Sequence, residues 1–271
     1  MAERGFAPKQ QRGGTVEEVG ATAPPAILGT ATSLLGAGNS HIVDRAGTVD
    51  IALVHSGMTL ANSDLPGLLA GQNLALLGEE LIQFERAEPL GSSTYRLSGL
   101  LRGRRGTEAS IPSHVSGERF VLIENDALAP LIVPAGVSVL QIWASGVGDS
   151  VPVQASLVAP GLALRPLSPV HMRIERGADW QIKWTRRSRD GWRWDDFVDA
   201  PLGEESERYR LAATPDVGAT RTFETVDPVW TYTATERAAD IGAGATSLFF
   251  SVQQIGTYSR SLASSIQFPL N

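Results

Sequence analysis

The chain has 271 residues, no cysteine, 23 Lys plus Arg against 29 Asp plus Glu, and a formal net charge of −6. The acidic balance excludes the basic footprint of a nucleic-acid binder, and the missing cysteines exclude disulfides, thiolate metal sites and cysteine nucleophiles. No apolar run reaches the roughly eighteen residues of a membrane-crossing helix, and Met1–Gly14 lacks the apolar centre of a secretory signal, so no membrane insertion is expected.

With 28 glycines and 16 prolines, turns should be frequent, as in all-β architectures. The length suits two β domains. Residues 1–25 are rich in Gly, Gln, Pro and charge without periodicity, and predict an extended or disordered arm. Residues 26–165 predict an antiparallel β-rich domain. Thr48 to Val54 alternates with β-branched character and reads as a strand. Ser63 to Ala70 reads as a short helical turn, capped by Ser63 or Asp64 and ended by Gly71. Leu74–Leu77 and Leu81–Phe84 form a hairpin about Gly78-Glu79, and Arg86–Leu90 and Thr94–Leu97 a second about Gly91-Ser92-Ser93. Further strands are expected over Arg119–Ile123, Val137–Ala144 and Val151–Val158.

Three prolines within residues 159–169 make a stiff connector. Beyond it, residues 166–271 predict about seven short strands with turn signals between them, the mark of a β-sandwich. They begin with His171–Glu175 and with Trp180–Trp184, where Trp180, Ile182 and Trp184 share a face. Arg208–Ala212, Thr220–Val226, Val229–Thr235, Ser247–Gln253 and Ser261–Phe268 follow. In Val229–Thr235 the side chains of Trp230 and Tyr232 share a face.

Chemistry-bearing patterns are sparse. His41, His55, His114 and His171 show no metal-ligand spacing and read as surface or turn histidines. Arg102-Gly103-Arg104-Arg105-Gly106-Thr107 lacks the Gly-Lys-Ser/Thr of a phosphate loop. It reads as a structural loop whose glycines supply positive φ and whose arginines pair with Glu79, Glu80 or Glu108; a contact to phosphate oxygens is the sharper alternative. Asp195-Asp196, Asp199 and Glu204-Glu205 read as a solvated loop, since neighbours on a strand point to opposite faces and calcium-loop spacing is missing. No Gly-x-Ser-x-Gly elbow occurs. No catalytic, cofactor or metal residue is assigned, and an enzyme is not expected. Trp192, Trp194 and Phe197 follow Trp184 among Arg186, Arg187, Arg189 and Arg193. Such rings beside arginines can bind sugars or a partner surface; alternatively Trp194 closes the core and the arginines lie across it. The candidate contact set is Trp192, Arg189, Arg193 and Trp194, with Trp192 best placed because Asp190-Gly191 turns the chain before it.

Two stretches carry a resemblance. The first holds Gly71-x-Asn73, Glu80-x-x-Gln83-Phe84, Tyr95-Arg96-Leu97-Ser98 and Leu100-x-Arg102-Gly103-x-x-Gly106-Thr107-Glu108, continued by His114 and Gly117. It resembles the C-terminal region of the large tail-tip, baseplate-hub or host-specificity protein of gene transfer agents and siphophages. The second holds Ile182-x-Trp184-x-Arg186-Arg187-Ser188-Arg189, Trp194, Tyr209 and Phe250–Gly256, and is similar to the fibronectin type III-like module that ends those proteins. The resemblance implies a structural component of a virion tail tip, assembled in the host cytoplasm. Its implied partners are other tail-tip proteins, further copies in a homotrimer, and a host envelope glycan or receptor. A dedicated receptor- or carbohydrate-binding tail-fibre module is the alternative; an envelope polysaccharide-degrading enzyme ranks last.

Overall fold

The computed structural model describes residues 6–12, 15–18, 24–131, 139–146, 149–158, 161–190 and 199–270, with residues 6–12, 15–18 and Gly146 described by backbone alone. It divides into two units, Met1–Leu162 and Ala163–Asn271.

The first unit contains β1 (Phe6–Arg12), β2 (Thr15–Glu18), β3 (Leu28–Ala31), β4 (Asp44–Leu53), α1 (Leu65–Leu69), β5 (Leu74–Leu77) and β6 (Glu80–Gly91). It continues with β7 (Thr94–Leu101), β8 (Arg119–Leu122), β9 (Val139–Gly146) and β10 (Val153–Val158). Six strands close into an antiparallel barrel in the order β3-β4-β7-β6-β5-β8, and the pairing of β3 with β8 completes the ring. Closure leaves no open edge. The interior is filled by alternate residues: Val49, Ile51 and Leu53 from β4, Ile82 and Phe84 from β6, and Phe120 and Leu122 from β8. Each such side chain is worth about 1.5–3 kcal/mol on burial. Gly29 lets β3 approach β4, because a Cβ there would meet Ala52 O at 2.8 Å.

The strand expected to end at Phe84 and the one expected to begin at Arg86 are a single strand, β6. It pairs with β5 over Glu80–Gln83 and with β7 over Gln83–Gly91. Sequence reading divides it because its solvent-facing half, ERAEPLG, has polar composition. Within the N-terminal stretch, β1 and β2 form a hairpin, and β1 pairs with β9 in a sheet ordered β10-β9-β1-β2. That pairing joins residues far apart in sequence, so local composition could not announce it.

The second unit contains β11 (Val170–Glu175), β12 (Trp180–Thr185), β13 (Tyr209–Pro215), β14 (Arg221–Thr225), β15 (Val229–Tyr232), α2 (Ala234–Asp240), β16 (Ser247–Gln254) and β17 (Ser264–Pro269). A three-stranded sheet, β11-β12-β15, and a four-stranded sheet, β14-β13-β16-β17, are both antiparallel. This distribution of seven strands is that of a fibronectin type III-like sandwich. Ile182 and Trp184 of one sheet meet Tyr209, Leu211 and Phe250 of the other, and the rings of Trp184 and Tyr209 pack edge to face at 5.1 Å. Such pairs add about 0.5–1.5 kcal/mol beyond area. Trp230 stacks on Tyr232 at 4.7 Å.

The strand expected over Val229–Thr235 stops at Tyr232. Thr233 and Glu236 form a reciprocal capping box that starts α2: Glu236 N donates to Thr233 Oγ1, and Thr233 N donates to Glu236 Oε2. Thr-x-x-Glu is a helix start legible in sequence, and the β-branched residues before it obscure it. The carboxylate of Asp240, the last residue of α2, receives Arg221 on both oxygens at 2.5 and 3.0 Å and the Tyr232 hydroxyl at 2.9 Å.

Candidate functional site

A buried cluster of charge lies at one end of the barrel. Glu80 opens β6 two residues before Ile82 and four before Phe84, so strand parity turns it toward the interior with them. It is 0% exposed. A carboxylate there must be paired and hydrogen-bonded. Arg102, 1% exposed, follows β7 and supplies the partner. Its Nε donates to Glu80 Oε1 at 3.0 Å and its Nη2 to Oε2 at 2.9 Å, a two-pronged fork. Arg102 Nη1 reaches Gly36 O at 3.0 Å and Asp44 Oδ2 at 3.3 Å. Gly103, at φ +60°, turns its N–H onto Glu80 Oε1 at 2.5 Å.

His114 completes the cluster. Its Nε2 is 2.6 Å from Glu80 Oε2 and its Nδ1 is 2.6 Å from Glu118 Oε1. Both ring nitrogens face carboxylate oxygens, so both must donate and the ring is an imidazolium. Burial pushes the His114 pKa down, but its hydrogen bonds to Glu80 and Glu118 outweigh it and hold the pKa above the ordinary value. Burial likewise pushes Glu80 up, and the donors on His114, Arg102 and Gly103 bring it below the ordinary carboxylate range. His114, expected as a surface or turn residue, is 8% exposed. Its sequence neighbours, Ser113 and Val115, gave no hint of a core position.

A second arm runs beside the first. Gln83 Nε2 donates to Leu68 O and Gln72 O, both at 2.7 Å, tying α1 to β6. Gln83 Oε1 accepts from Arg104 Nε at 2.6 Å. Burial, with Arg105 nearby, lowers the Arg104 pKa to about 10. Thr107 Oγ1 donates to Arg104 O and accepts from Leu81 N, which fastens the Arg102–Thr107 loop to β6. Of the three carboxylates offered to these arginines by sequence, Glu80 is the one that Arg102 takes.

This arrangement spends its polar atoms on itself. Both oxygens of Glu80 and both nitrogens of His114 are engaged inside the cluster. A surface hollow of about 550 Å³ is lined by residues 37–41, Glu108, Ile111 and Pro112, and neither Glu80 nor His114 lines it. A second hollow of about 660 Å³ is lined by Asn62–Leu65, Gln72, Glu85 and Arg86. There Asn62 accepts from Ala87 N, Ser63 donates to Gln72, Asp64 caps α1, and Glu85 pairs with Arg45. Among the described residues, no group of three or more His, Asp or Glu is placed to hold a metal ion.

Of the candidate contact set, Trp192, Arg193 and Trp194 lie outside the described residues, as do Asp195, Asp196 and Phe197. Arg189 is described. Its Nε donates to Glu204 Oε1 at 2.8 Å and its Nη2 to Gly203 O at 2.5 Å. Arg186 binds Asp199 Oδ2 at 2.8 Å and the carbonyls of Ala200 and Pro201. Both arginines thus clamp the far side of the loop, residues 199–204, to the strand end that precedes it. His41 and His55 are exposed, and His171 is exposed at φ +52° beside the irregular register of β11.

The fold and the cluster define an all-β protein that pairs a closed barrel, braced by a buried ionic network, with a fibronectin type III-like sandwich. Residues 26–121 match the family model described as Rcc01698-like, C-terminal, a family associated with gene transfer agents. That span runs from just before β3 into β8, the barrel itself. No curated protein matches the sequence. Among solved structures, a two-domain fibronectin type III segment of chicken tenascin is 11% identical, covers 89% of this chain and 99% of its own, and has a TM-score of 0.28. The FN1–FN3 domains of chicken CNTN1 are 12% identical, with 94% and 70% coverage and a TM-score of 0.27. The sandwich assignment rests on strand order.

Proposed function

We propose that this chain is a structural component of the tail tip or baseplate of a phage or phage-like particle, contributing to contact with the host surface. The observation that carries the reading is the match of residues 26–121 to an Rcc01698-like C-terminal region. That span holds the whole of the first string that resembles tail-tip proteins, from Gly71 to Gly117. The physical form agrees with the role. The string's glycines at Gly71, Gly103, Gly106 and Gly117 all sit at positive φ, and its polar residues Glu80, Gln83, Arg102, Thr107 and His114 are buried with one another. Both are demands of a scaffold. Association as a homotrimer, with other tail-tip proteins and with a host envelope glycan or receptor, belongs to the same reading.

The test is location. Particles from cells encoding an epitope-tagged chain are expected to carry the tag at the distal end of the tail by gold labelling. Purified particles without the tag, with the protein left in the lysate, would overturn the proposal.

A further inference from the structure

The hollow beside α1 lies between stretches of backbone that the barrel holds in place. Ser63 N donates to Glu85 O at 2.9 Å and Ala87 N donates to Asn62 Oδ1 at 2.8 Å, so the chain before α1 runs along β6. The chain after α1 is tied to the same strand, because the buried Gln83 donates to Leu68 O and Gln72 O. Residues 62–65, Gln72, Glu85 and Arg86 line about 660 Å³. That volume falls within the roughly 300–1,000 Å³ of small-molecule sites.

Four of the lining side chains share one habit: each fixes one polar atom on the protein. Asn62 uses Oδ1 on Ala87 N, Asp64 uses Oδ1 on Gly67 N, Gln72 uses Oε1 on Ser63 Oγ, and Glu85 uses Oε2 on Arg45. Among the described residues, the second polar atom of each has no protein partner: Asn62 Nδ2, Asp64 Oδ2, Gln72 Nε2 and Glu85 Oε1. Two donor groups and two acceptors are left over on side chains already held in place, so a ligand that meets them has little rotamer freedom to quench.

Two glycines make room for this set. Gly67 sits inside α1, where glycine is disfavoured. A Cβ there would run into Ser63 Oγ and Gln72 Oε1, and would lie 3.1 Å from Asp64 Oδ1. Gly99, at φ +65°, does the same for Glu85, whose Oε2 a Cβ would strike.

We propose that this hollow binds a neutral sugar of the host envelope. A sugar hydroxyl donates and accepts at once. Neighbouring hydroxyls on one ring can therefore give to Asp64 and Glu85 while taking from Asn62, Gln72 and the exposed Arg86. Leu65, 39% exposed, offers apolar surface to the ring C–H groups. A phosphate would face two carboxylates in the lining against one arginine, and the two carboxylates belong to no metal-holding group among the described residues. The choice of envelope sugars rests on the host-contact reading; the match of donors and acceptors does not.

The full chain, labelled with nitrogen-15, is titrated separately with glucose, galactose, mannose, rhamnose, N-acetylglucosamine, inorganic phosphate and calcium chloride. At least one sugar is expected to shift the backbone amides of residues 62–65, Gln72 and Arg86, while phosphate and calcium leave them in place. Asp64→Asn keeps the oxygen that caps α1 and Glu85→Gln keeps an oxygen for Arg45, but each turns the unpartnered acceptor into a donor. Each variant is expected to weaken the sugar about tenfold with the unfolding midpoint held. Silence of these amides with all five sugars overturns the site, and so does a sugar affinity unchanged in both variants. Shifts with phosphate or calcium and none with a sugar mark an ion site and overturn it equally. All of these results leave the tail-tip reading standing. Untagged particles would overturn the tail-tip reading and leave sugar binding by the hollow intact.

Discussion

His114 Nε2 and Arg102 Nη2 converge on the same oxygen, Glu80 Oε2, at 2.6 and 2.9 Å. One buried carboxylate therefore joins the end of β7 to the segment that leads into β8. The barrel closes through β8, so this junction bears on its integrity as a whole.

The pair of shifts at Glu80 and His114 sets a pH window. Glu80 is lowered in the folded state, so its contribution is present above the ordinary value of 4.5 and is lost as pH falls through its folded pKa. His114 is raised, so its contribution is fully present below the ordinary value of 6.5 and is lost as pH rises through its folded pKa. The network is strongest between those two ordinary values. Urea midpoints should fall on the alkaline side of 6.5, and His114→Gln should flatten that slope. An alkaline slope identical in the variant would refute the assignment.

Arg102→Met leaves the buried Glu80 without its fork and should destabilise the barrel by about 3–5 kcal/mol. Arg102→Lys keeps the charge but not the two-pronged geometry, and should cost about 1.5–3 kcal/mol. Adding Glu80→Leu to Arg102→Met should recover only part of the loss, because Gly103 N–H and His114 also lose their acceptor. Chemical denaturation of the three variants checks the order.

The β6–β7 turn places Ser92 at φ +49° and Ser93 at φ +61°. Serine is a poor occupant of that region, and Asn-Gly is the preferred pair for a two-residue turn of this hand. Ser92→Asn with Ser93→Gly should stabilise the barrel by about 1 kcal/mol, read as a higher thermal midpoint.

Arg189 meets a Glu204 side chain that is only 2% exposed. Arg189→Ala should therefore destabilise the sandwich by about 1.5–3 kcal/mol. Trp192→Ala probes host contact without breaking this clamp. Under the host-contact proposal, Trp192→Ala lowers particle adsorption while the unfolding midpoint holds. If adsorption falls only in Arg189→Ala, in step with stability, the loop is scaffold.

The strands of both units were legible because their alternation is local: Trp180, Ile182 and Trp184, or Trp230 and Tyr232, declare a face without knowledge of what covers it. The hairpin about Gly78 and the Asp64 cap were legible for the same reason. Glycine spacing in the Arg102–Thr107 loop announced positive φ, and the sequence could name Glu79, Glu80 and Glu108 as partners for its arginines. Only the tertiary structure decided among them, since the choice depends on which carboxylate strand parity and barrel closure bring under Arg102. It also drew in His114, Glu118 and Asp44, and it turned a polar N-terminal stretch into strands by pairing β1 with β9. Patterns set by neighbours along the chain are written in the sequence. Contacts between residues tens of positions apart exist once burial makes an unpaired charge or an open strand too costly to leave alone.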